Sequence, residues 1–73
     1  MKFDKNRVFT PVNANELKIG SKVFVADSMY SLMLDVEHEV NMTVLEGVHD
    51  VSYQKRFVTR NQDDRILAYL IEE

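Results

Sequence analysis

The apolar residues change their spacing at Asp27 and Ser28, and this constrains the fold more than any other feature of the 73-residue chain. Before it, Lys22 to Ala26 alternates: Val23 and Val25 share one side, Lys22, Phe24 and Ala26 the other. That is the period of a strand, and β-branched and aromatic residues suit a pleated surface. After it, Met29, Leu32, Met33, Val36 and Val40 recur at spacings of three and four, the stripe of an amphipathic helix. Asp27 and Ser28 are both residue types that accept a bond from a free N–H at a helix start. Asn41 tolerates the left-handed conformation that ends one. A helix over about residues 28–40 is predicted.

Strands flank it. RVFTPV, residues 7–12, reads as a short edge strand because Pro11 has no N–H for a ladder. NANEL is a loop or a single helical turn, and Lys18-Ile19-Gly20-Ser21 is a tight turn in which Gly20 supplies a positive φ. Beyond the helix, Met42 to Val48 alternates, with Gly47 marking a bulge or a close approach. Tyr53 to Thr59 places Tyr53, Lys55, Phe57 and Thr59 on one side. Arg60-Asn61-Gln62-Asp63-Asp64 reads as the polar connection of a hairpin. Ile66 to Ile71 is apolar on both faces and therefore reads as a central strand. The order strand, strand, helix, three strands defines an α+β domain with a small curled antiparallel sheet and one packed helix. An SH3-like barrel with the helix inserted after its first long strand is the preferred version, and an open four-stranded sheet covered by the helix is the alternative.

The whole of residues 1–73 makes one domain, with 1–6 expected as a loosely ordered N-terminus. Ordering so short a chain costs about 1.5 kcal/mol per residue, which burial at about 25 cal/mol per Å² only just offsets. With no cysteine, neither disulfides nor thiolate–metal sites are open to it. Self-association, on an apolar C-terminal strand ILAYLI, is the expected supplement, giving a homodimer. No apolar signal core and no run of 18 apolar residues occurs, so the expected setting is cytoplasmic, with no membrane partner.

ELKIGSKVFVADS, TVLEGV, KRFV and ILAYLIEE together resemble small uncharacterised proteins encoded by phages and mobile elements of bacteria. The resemblance spans residues 7–73 and consists mostly of core positions and turns, so it carries over no functional residue. It implies a prophage setting and an accessory role exerted by binding host macromolecules.

The chemistry-bearing residues are sparse. His38 and His49 each sit beside carboxylates, but Glu37, His38 and Glu39 are consecutive and fan apart at about 100° per residue, so they do not converge on a metal. Ser21, Ser28, Ser31 and Ser52 have uses as turn or cap residues. Gly20 and Gly47 stand too far apart for a Walker loop, and two glycines are too few for a dinucleotide fingerprint. No catalytic residue, cofactor or metal site is expected, and a non-enzymatic binding role follows.

Two surfaces are candidates. Between Lys22 and Lys55 there is no Lys or Arg, while Asp27, Asp35, Glu37, Glu39, Glu46 and Asp50 all fall there. Asp35, Glu37 and Glu39 on the outer side of the helix would offer a negative ridge to a host or phage protein with a basic surface. Met29, Tyr30 and Met33 lie at one helix flank where a partner could also be met, although Met at helical spacing is ordinary core. The alternative is nucleic-acid binding through a basic hairpin over residues 53–65, with Tyr53, Lys55, Arg56 and Arg60 tracking phosphates and stacking bases. Against it, Lys55 and Arg56 point to opposite faces, and the net charge is −3.

Overall fold

The computed structural model describes residues 2–61 and 64–72. It has the expected element order: β1 (Val8–Phe9), β2 (Lys22–Ala26), α1 (Met29–His38), β3 (Thr43–Val51), β4 (Gln54–Thr59) and β5 (Leu67–Glu72). Single 3-10 turns occur at Lys5–Arg7 and Ala14–Glu16, the second inside NANEL. Gly20 has φ 95°, and the Ser21 N–H closes its turn on the Lys18 carbonyl at 3.2 Å.

The five strands form one antiparallel sheet in the order β1-β5-β2-β3-β4. β5 lies between β1 and β2, the central place that its two apolar faces call for. The sheet curls but is not closed. Among the described residues, β4 meets the approach to β5 in a single bridge, where the Phe57 N–H donates to the Arg65 carbonyl at 2.7 Å and the Arg65 N–H donates back at 3.1 Å. The connection after β4 is thus not the loop of a hairpin: beyond that bridge β5 leaves to pair with β1 and β2. Gln62 and Asp63 of that connection lie outside the described residues, as do Met1 and Glu73.

β2 is buried on both faces, and this organises the core. Val23 and Val25 join Ala14, Leu17, Leu45, Phe57 and Ala68 in the hollow of the curl. Phe24 and Ala26 join Leu32 and Val36 of α1, together with Tyr69. Residues 2–6, within the stretch 1–6 expected as a loosely ordered N-terminus, lie across β5 together with Arg7. The Phe3 ring is 5.2 Å from that of Tyr69. The buried Tyr69 hydroxyl accepts from the Asp4 N–H at 3.0 Å and donates to the Lys2 carbonyl at 3.3 Å. Arg7 Nη1 donates to the Leu70 and Ile71 carbonyls, at 3.2 and 3.1 Å, where β1 has already ended.

ILAYLI was expected to offer an apolar strand to a second copy. It lies inside the sheet instead, paired with β2 from Leu67 to Glu72 and with β1 at Ala68 and Tyr69.

Candidate functional site

Ser28, not Asp27, caps α1: its side chain accepts from the Ser31 N–H at 3.1 Å, and its carbonyl accepts from the Leu32 N–H at 3.0 Å. Asp27 instead pairs with Arg65. The helix ends two residues before the expected position. Glu39 adopts a left-handed φ of 53°, while the Val40 N–H reaches back to the Asp35 carbonyl at 3.1 Å and the Glu39 N–H to Val36 at 3.3 Å. This is the paired closure usually built on glycine. Asn41, also left-handed, lies beyond it, and its side chain donates to Asp35 Oδ1 at 3.4 Å. A carboxylate residue held there costs about 1 kcal/mol in backbone strain. Glu39→Gly is expected to stabilise the fold by about that amount in a urea titration.

Of the predicted inner stripe, only Leu32 and Val36 are buried; Met29, Met33 and Val40 are each 43–45% exposed. α1 has ten residues, fewer than three turns, and it rests mainly on β2 and β5. That narrow track covers a thin arc of the helix and leaves the rest of the stripe bare. At 100° per residue, Met29, Met33, Glu37 and Tyr30 follow one another round a single flank beside the buried arc. Tyr30 is 73% exposed. The flank therefore presents two methionines and a tyrosine ring with one carboxylate at its end.

The three acids of the expected ridge are not brought together. Asp35 and Glu37 are two residues apart and so fall about 160° from each other around the axis. Asp35 is half-buried and bonded to Asn41, and Glu39 has left the helix. Only Glu37 shares the flank of the methionines.

Nor does the basic set gather. Tyr53 stands at the tip of the β3–β4 hairpin, fully exposed, in a two-residue turn where Ser52 and Tyr53 both have positive φ. Lys55 Nζ donates to Asp50 at 3.0 Å. Arg56 projects to the other face and is half-buried. Arg60 lies past the far end of β4, about 20 Å from Tyr53 at the rise of a strand.

His49 pairs with Asp64 at 3.3 Å, and among the described residues no three His, Asp or Glu side chains are placed to hold a metal ion. No helix among the described residues is long and apolar enough to cross a membrane. No family model, curated protein or solved structure matches the chain.

Proposed function

We propose that this chain is a non-enzymatic binding module that receives a basic, amphipathic segment of a partner protein on the α1 flank of Met29, Tyr30, Met33 and Glu37. The observation that carries the reading is the exposure of those three large apolar side chains side by side, on the flank next to the buried Leu32 and Val36. Unbranched methionines adapt to varied apolar shapes, and an exposed tyrosine is a rigid anchor. The sign of the partner comes from Glu37, the carboxylate on that flank, in a helix that contains no Lys or Arg. A cationic rim on the partner would be drawn in and oriented, which speeds encounter and selects against acidic competitors. A flank of this size suits a transient interface, with dissociation constants in the micromolar range. An accessory role of this kind is in keeping with the resemblance to phage and mobile-element proteins. A chain without cysteine also suits a reducing cytoplasm.

The test is a titration of the labelled protein with an amphipathic helical Leu/Lys peptide, and with its Leu/Glu counterpart, followed by amide chemical shifts. The cationic peptide should move Met29 to Glu37 and the anionic one should not. The double change Tyr30→Ala, Met33→Ala should weaken binding by at least about tenfold, the scale of losing 1.4 kcal/mol of anchor contacts. Equal response to both peptides, or shifts confined to β4, would overturn the reading.

A further inference from the structure

The β3–β4 hairpin carries an unused pairing edge. β2 accompanies β3 only at Val23/Thr43 and Lys22/Val44, and Leu45 still bonds Gly20 and Ser21. Past Leu45 no described strand runs beside β3 on that side. The backbone phase there is fixed by Phe57, whose N–H and C=O both turn away from β3 to reach Arg65. Val48, directly opposite Phe57, therefore turns its own N–H and C=O away from β4, and by alternation so does Asp50, opposite Lys55. The stretch Glu46-Gly47-Val48-His49-Asp50 contains neither Lys nor Pro, the usual guards of an open edge.

Gly47 is a second observation. Its φ is not in the left-handed region, and a Cβ built on it meets nothing within 4 Å. It adjoins the bulge at Glu46, and the space beside it is open.

We propose that β3 pairs antiparallel with β3 of a second copy across a two-fold axis at His49, joining two five-stranded sheets into one. The register follows from the residues. Only pairings that set the outward groups of Val48 and Asp50 against each other's kind can form the ladder, which leaves axes at Val48, His49 or Asp50. An axis at Val48 puts Asp50 opposite Glu46 of the second copy, and an axis at Asp50 puts two Asp50 carboxylates face to face. The axis at His49 sets each Asp50 opposite a Val48, and like charges directly opposite are avoided. The second strand runs in the lane that β2 vacates at Gly20. Its tip, with the fully exposed Tyr53, then reaches the turn that carries Ile19, itself 72% exposed.

The chain has no cysteine, so His49→Cys introduces the sole thiol at an exposed position. Across the axis, Cα atoms of such a non-hydrogen-bonded pair lie about 4.5 Å apart, within disulfide reach. Mild oxidation should link His49→Cys into a covalent dimer, at least about tenfold faster than Asp50→Cys. Light scattering of the native chain should give twice 8.5 kDa. Asp50→Pro, which removes an outward N–H together with the carboxylate bonded to Lys55, should return the mass to that of one chain with unchanged circular dichroism, while Asp50→Ala, which removes that carboxylate alone, should keep the dimer. Tyr30→Ala should leave the dimer intact, which separates this edge from the α1 flank. A single-chain mass at about 1 mM, or equal linking of the two cysteine variants, would overturn the proposal; so would a dimer that survives Asp50→Pro.

Discussion

Phe24→Ala is expected to destabilise the chain by about 3–5 kcal/mol, the range for emptying a phenylalanine site in a core. Phe24 is fully buried against α1, its ring 6.3 Å from that of Tyr69 and in one cluster with Leu32 and Val36. β2 is held by β5 along its length and by β3 at Lys22 and Val23, so the walls have little freedom to collapse inward. At about 0.05–0.15 kcal/mol per residue, a domain of this length holds roughly 4–11 kcal/mol in all. The substitution therefore leaves a large share of molecules unfolded at 37 °C. Urea denaturation followed by circular dichroism measures it, and a loss under about 1 kcal/mol would mean that α1 does not rest on Phe24.

Phe57→Ala should cost a similar 3–5 kcal/mol but from the opposite side of the sheet. Phe57 fills the hollow of the curl with Leu45, Val25 and Ala14, and its backbone makes the bridge to Arg65. Removing the ring loosens the hairpin against β2 before the helix side is touched. Native-state hydrogen exchange should show this as early loss of protection at the Arg65 amide, which donates to the Phe57 carbonyl. Amides joining β2 to β5 should follow the global transition. If those amides exchange first, the two clusters are not separate units in the sense drawn above.

Period and punctuation made the element order legible. The switch at Asp27 and Ser28, the turn at Gly20, the apolar run from Ile66 and the bulge near Gly47 all have local causes, and local causes are what a sequence displays. The register break between Leu45 and Gly47 is the bulge, with Glu46 as the extra residue. What a sequence does not display is the surface lying opposite a given side chain. Met29, Met33 and Val40 have the spacing of core residues, yet the two strands beneath α1 are too narrow to cover them. The acid run misled for a related reason: counting charges along the chain ignores the turn of the helix, which sends Asp35 and Glu37 to different sides. The turn at Ser52 and Tyr53 went unseen because neither residue belongs to the Asn-Gly or Asp-Gly pairs that signal such hairpins. The edge past Leu45 was invisible for the plainest reason, that it depends on where β2 stops.

The place of β5 has a kinetic consequence. Val8 pairs with Tyr69 and Val25 with Ala68, so the first two strands must wait for the last before either is locked. Partners so distant along the chain bring a large closure entropy and slow folding. During synthesis one edge of β2 stays unpaired until β5 emerges, a window in which chaperones or aggregation compete. Deleting β1 would take away an edge; deleting β5 would cut the sheet in two.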